Sequence, residues 1–272
     1  MEKDQLLNVR QSLETFFYRI RFNIGLNHAL ESGVFKSFRS ELKKSLRNQI
    51  LYFAKIEKVN SIIGLRKAVK ELTDQDLLIN LGKMWIPIFD ILSQEDAKKF
   101  LIWSANEGGQ IAVNKLDPSV EFRLKNEKIV SMIEQRAIDF SKIIDYTTQS
   151  WIARTVEEGI SMGMNSIDIA KTLRDQSTNV SYFRSDTIAE YELALQIGEM
   201  QNEVFKRSGV THHRWITTRD ERTCLECASN EEAGEVEIGD EFPSGVIYTP
   251  GHISCRCFIA PVSLHKEIWT GN

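Results

Sequence analysis

Cys224-Leu-Glu-Cys227 and, 25 residues further on, His252-Ile-Ser-Cys255-Arg-Cys257 hold all four cysteines of a 272-residue chain and one of its five histidines. Two thiols separated by two residues, followed by a second His/Cys cluster, have the spacing of a tetrahedral zinc site with sulfur and imidazole ligands. Cys224, Cys227, His252, Cys255 and Cys257 are five candidates for four positions. An extended segment sets residues 255 and 257 about 6.5–7 Å apart on one face, so without a local bend only one of them ligates. The expected set is therefore Cys224, Cys227 and His252 with either Cys255 or Cys257. A full set leaves no open position for a reactive water, which favours a structural ion over a catalytic one. Two disulfides in an oxidising compartment, or four unlinked buried thiols, are the competing readings.

The residues around the cysteines need a staple of this kind. From 210 to 272 the chain has β-branched clusters at Trp215-Ile-Thr-Thr218 and Val246-Ile-Tyr248 and three of the five prolines. It reads as short strands and loops with too little apolar surface to stand alone, and binding free energy at a structural zinc site is also folding free energy. His212-His213 reads as an exposed strand start. Asp220 and Glu221 read as turn residues, with a general base as the sharper alternative. Arg256 either contacts a phosphate or offsets thiolate charge.

Upstream the periodicity is helical. Apolar positions 6, 9, 13, 16, 20 and 24 form one stripe, and Phe35, Phe38, Leu42, Leu46, Ile50 and Phe53 form a second, with a break at Glu31-Ser32-Gly33. Thr73 and Ser93 stand as N-caps of further helices, with an interruption at Pro87. Gly108-Gly109 weakens the next helix and Asp117-Pro118 marks a turn. A stripe at Ile129, Ile133, Ala137, Phe140 and Ile144 follows. Thr147 or Thr148 caps a helix to about Met162, and Asn165 or Ser166 caps a short one with Ile169 and Leu173 inward. A long helix then runs along Ile188, Tyr191, Leu195, Met200, Val204 and Phe205 to Gly209, the residue type expected after a helix C-terminus. The fold class is mainly α, with a helical N-terminal region over 1–117 and a helical part over 118–209. It ends in a small α+β, β-rich, zinc-stapled tail over 210–272.

Composition narrows the function classes. The chain is 42% hydrophobic and 26% charged, as in ordinary globular protein, and its net charge of −4 gives no global attraction to nucleic acid or anionic membrane. The cluster from Lys36 to Arg47 reads as a solvated helix face. The polar N-terminus lacks the apolar core of a signal peptide, and Met84–Leu92 is too short to span a bilayer. A reducing cytosol as the place of synthesis follows, where clustered thiols favour metal. No phosphate-binding glycine loop, Ser-His-Asp set or His-Glu-x-x-His helix is present in the sequence.

The run Trp215-Ile-Thr-Thr-Arg-Asp220-Glu-Arg-Thr-Cys224-x-x-Cys227, then Phe242, then Pro250-Gly-His252-Ile-Ser-Cys255-Arg256-Cys257, resembles the C-terminal signature of the phage Mu F-like minor head proteins. The helices before it are ordered as in that family, and the likeness covers roughly 120–262. Thr249-Pro250 replaces the family's usual Pro-Pro. The resemblance implies a minor capsid, head morphogenesis protein of a tailed phage or prophage, made in the host cytoplasm. Its place would be the virion, at the portal vertex or capsid interior, acting in head assembly and DNA packaging or delivery. Portal protein and capsid protein are the implied partners, with viral double-stranded DNA as a third. No catalytic role is implied, and the fifteen residues after Cys257 leave no room for the toxin or nuclease domain that some relatives carry. The alternative is a zinc-dependent nuclease or other hydrolase using Asp220, Glu221 and His252.

Overall fold

A computed structural model describes residues 22–23, 25–68, 94–262 and 267–272. The stripe at positions 6 to 24, the caps at Thr73 and Ser93, the break at Pro87 and the segment 84–92 lie outside these residues. What is described is mainly helical: α1 (Gly33–Phe53), α2 (Ile56–Ala68), α3 (Gln94–Leu116), α4 (Glu127–Ser161), α5 (Ser166–Arg207) and a short α6 (Leu225–Glu232). Three strands, β1 (His212–Ile216), β2 (Glu235–Glu237) and β3 (Phe258–Pro261), form an antiparallel sheet in the order β2-β1-β3. No helix among the described residues is long and apolar enough to cross a membrane.

The apolar stripes define most of these helices. Phe35, Phe38, Leu42, Leu46, Ile50 and Phe53 are all buried along α1, as the three-to-four spacing demands. The break before α1 is one residue, Ser32, whose Oγ accepts from the Phe35 N–H at 3.1 Å and so caps the helix. Ile129, Ile133, Ala137, Phe140 and Ile144 are buried along α4.

Helix α4 does not restart at Thr147-Thr148 as the capping signal suggests. Both hydroxyls donate back to the Ile144 carbonyl, at 3.0 and 2.8 Å, so residues that favour a cap sit inside one continuous helix. The short and long helices expected after residue 165 are likewise one 42-residue helix, α5. Ser177, Ser181 and Ser185 each turn a hydroxyl onto the carbonyl three residues back. Its buried face is Ala189, Leu193, Ile197, Met200 and Val204; Ile188, Tyr191 and Leu195 stand at its half-buried margin.

The described chain forms two compact units. One comprises Ser37–Lys99 and Ile133–Asp186, with a core of Ile50, Phe53, Val59 and Ile62 packed with Ile152, Val156, Ile169 and Leu173. Arg174 Nη1 donates to the Ala54 carbonyl at 2.9 Å, taking one of the acceptors left over beyond α1. The other comprises Met1–Lys36, Phe100–Met132 and Thr187–Asn272. Within it, Gly108-Gly109 lies inside α3, which runs through both residues without a break. A Cβ on Gly108 would stand 2.7 Å from Ile197 Cα, and one on Gly109 would overlap the Phe122 ring, so both glycines admit close neighbours. Residues 267–272 strap this unit. Arg123 N–H donates to the Thr270 carbonyl at 3.0 Å, Asn126 N–H donates to that of Gly271 at 3.0 Å, and the Trp269 ring packs on Phe122.

Candidate metal centre

All five sulfur and imidazole candidates belong to the second unit, on two segments flanking the sheet. The first leaves β1 and turns at Asp220, whose carbonyl accepts from the Thr223 N–H at 2.9 Å. Helix α6 starts there, with Cys224 as its N-cap: the thiol sulfur accepts from the Cys227 N–H at 3.4 Å. A helix N-terminus favours negative charge, so Cys224 sits where a thiolate is stabilised. The residue pattern of this stretch predicts turn and loop, and the structure has a helix there instead. The helix is anchored by Glu231, which accepts from Thr217 Oγ1 at 2.7 Å, and by Asn230, which exchanges hydrogen bonds with Ser244. Nothing in the local pattern marks these two residues, because their partners lie fourteen positions away.

The second segment, 250–257, is bent. Ser254 takes a positive φ of 62°, and Cys255 N–H donates to the His252 carbonyl at 3.1 Å. Val246-Ile-Tyr248, expected as a strand, is loop instead. Its start closes a tight turn in which Phe242 N–H donates to the Val246 carbonyl at 2.8 Å. The strand that does follow is β3, immediately after Cys257, paired to β1 from Ile216↔Phe258 to His213↔Pro261.

These two segments bring the candidates together. His252 Nε2 lies 3.2 Å from Cys224 Sγ and 3.3 Å from Cys227 Sγ, and Cys227 Sγ lies 3.8 Å from Cys255 Sγ. Ligand atoms of Cys224, Cys227 and His252 fall within 4.8 Å of one another, as do those of Cys227, Cys255 and Cys257. The bend brings the thiols of residues 255 and 257 nearer than an extended strand would. Zinc–sulfur bonds of about 2.3 Å in a tetrahedron place sulfur ligands about 3.8 Å apart, which is the Cys227–Cys255 separation. His252 Nδ1 faces the Ile253 carbonyl at 2.8 Å. A carbonyl only accepts, so the ring proton is on Nδ1 and the lone pair of Nε2 points at the sulfurs, the arrangement of a ligating histidine. The cluster is capable of chelating a metal ion.

The thiols are not equivalent. Cys255 is held down to about 5, first by the hydrogen bond from Cys257, whose own thiol is pushed up by the same contact and by burial. Burial raises Cys227 to about 12, and the Cys227 N–H holds Cys224 below its ordinary value. Asp220 and Glu221 do not join the cluster. Arg256 grips both oxygens of Asp220, Nη1 to Oδ2 at 2.6 Å and Nη2 to Oδ1 at 2.7 Å, and Glu221 is exposed. His213, far from an exposed strand start, is fully buried and stacks on Phe242 at 5.0 Å; burial pushes its imidazole down to about 4. A cavity of about 650 Å³ opens beside the cluster, walled in part by Tyr191, Arg222, His252 and Cys255.

Fold and site together define a helical protein that carries a small Cys/His knuckle on a three-stranded sheet. Residues 150–260 match the model of the family described as Phage Mu protein F like protein, so over that segment the chain is similar to this family. The matched span takes in α5, the sheet up to Ala260 and every Cys and His of the cluster. No curated protein and no solved structure matches the chain.

Proposed function

We propose that this protein is a minor head component of a tailed-phage particle. In this reading the helices serve assembly at the portal and capsid interior, where double-stranded DNA is packaged or delivered, and a structural zinc ion holds the knuckle. The ligands are Cys224, Cys227 and His252 with Cys255 as the fourth, and Cys257 stands behind Cys255 as a thiol donor. The observation that carries the reading is the convergence of Cys224 and Cys227 with His252, and of Cys227 with Cys255 and Cys257, inside the segment that matches the head-protein family. A set of four protein ligands is closed to substrate and suits a staple. The nuclease alternative needs the Asp220 carboxylate free to take a proton, and Arg256 holds both of its oxygens.

Two measurements test this. Metal analysis of protein purified without chelators is expected to give about one zinc per chain, as four protein ligands imply. Mass spectrometry of purified particles is expected to find the chain with the portal protein. A folded, metal-free protein would remove the staple, and particles lacking the chain would remove the virion role.

A further inference from the structure

The two ligand segments also meet through a contact that uses no ligand atom and comes from residues flanking the ligands. Asp220 lies four positions before Cys224, and Arg256 lies between Cys255 and Cys257. Their side chains form a two-pronged pair, 2.6 and 2.7 Å, that joins residue 220 to residue 256. Asp220 Oδ1 also accepts from the Arg222 N–H at 3.0 Å, and its carbonyl accepts from Thr223 N–H. One residue thus shapes the turn that delivers Cys224 and holds the bent segment that delivers His252 and Cys255.

We infer that Asp220 and Arg256 are positioning residues that set the two ligand pairs at chelating distance. The inference rests on the metal-site reading above. A half-exposed ion pair contributes little to stability as such, because water screens it. Its effect here lies elsewhere. A tetrahedral site needs two loops fixed within fractions of an ångström, and a brace that exists without the ion removes part of the ordering that binding would otherwise require. The fork matters more than the charge. Guanidinium presents two parallel N–H groups to two carboxylate oxygens and thereby fixes both distance and orientation, which an ammonium cannot do.

The test uses full-length protein and competition for Zn²⁺ against a chromophoric chelator, with Co²⁺ spectra as the readout of thiolate ligation. R256K keeps the charge and loses the fork; D220N keeps the shape and loses the charge. Both are expected to bind Zn²⁺ about 10–100-fold more weakly and to release it faster, as happens when groups that orient ligands are lost. D220E, which restores a carboxylate, should recover part of that loss, and the far-UV spectrum should stay that of wild type throughout. Affinities within twofold of wild type for R256K and D220N, in a wild type that shows cobalt–thiolate bands, would overturn the brace alone. A wild type without those bands would take down the metal reading and this inference together.

Discussion

Among the described residues outside the knuckle, Lys115 is the buried charge that its surroundings oppose most. It is 3% exposed, and its ammonium donates to the Ile259 carbonyl at 2.7 Å and to Gln201 Oε1 at 3.2 Å, with the Phe22, Phe258 and Phe205 rings around it. No carboxylate among the described residues pairs with it, and burial pushes its pKa from 10.5 down to about 7. A displacement of that size is worth about 5 kcal/mol, more than the about 1–3 kcal/mol lost when a buried carbonyl goes unpaired. The sign follows from proton binding. Between pH 7 and 10.5 the unfolded chain holds a proton on this lysine that the folded chain has released, so stability rises with pH across that window. K115M should therefore be more stable than wild type by about 1–3 kcal/mol at pH 7, with the gap closing towards pH 10.5. Urea unfolding at both values checks this; a variant weaker at every pH would show that the aromatic cage outweighs the burial. The fourth ligand is a question at the same scale. C255S should lose part of the cobalt–thiolate absorption while C257S keeps it, because the Cys255 sulfur stands 3.8 Å from Cys227 Sγ, the tetrahedral spacing. The reverse pattern would move the fourth position to Cys257.

At the scale of elements, glycine separates what local pattern reveals from what packing decides. Gly64 lies exposed in α2, and a Cβ there meets nothing within 4 Å; Gly108 in α3 faces Ile197 backbone at 2.7 Å. G64A should gain about 1 kcal/mol through helix propensity, whereas G108A should lose about 1–3 kcal/mol by overpacking. Thermal melts of the two single variants read both signs, and a stabilising G108A would mean that the α3–α5 approach relaxes freely. Read from sequence alone, Gly108 only weakens a helix, because spacing carries no trace of a partner 89 positions away. The same blindness divided α4 at Thr147 and α5 at residue 174, since a hydroxyl that caps and one that bonds back to Ile144 look alike in sequence. The stripes of α1 and the first half of α4 were legible because their burial is periodic. So was the convergence of Cys224, Cys227 and His252, which the motif spacing encodes. Helix α6 was not legible: its eight residues carry buried Cys227 and Asn230 and no apolar face. Nor was the strap at 267–272, whose links to residues 122–126 are mostly backbone.

For the molecule as a whole, the proposed ion governs a small fraction of the helix and most of the sheet. Helices α4 and α5 contain 35 and 42 residues, against eight in α6. Chelation should therefore barely alter the far-UV spectrum while releasing the sheet region. Trp215 reports that region: it is buried, packs edge-on against Phe242 at 5.2 Å, and sits under the Gly251 that precedes His252. The cavity wall formed by His252 and Cys255 gives a small chelator a route to the cluster. On adding one in excess, Trp215 fluorescence should shift to the red and amides of 212–262 should lose hydrogen-exchange protection. Amides at Ile50, Phe53, Ile152, Val156 and Leu173 should keep theirs, because that core belongs to the other compact unit and shares no residue with the knuckle. Restoring Zn²⁺ should reverse the change. Loss of protection spread evenly over both sets, or none in 212–262, would show that the ion is not what holds the tail, since a staple acts where its ligands are.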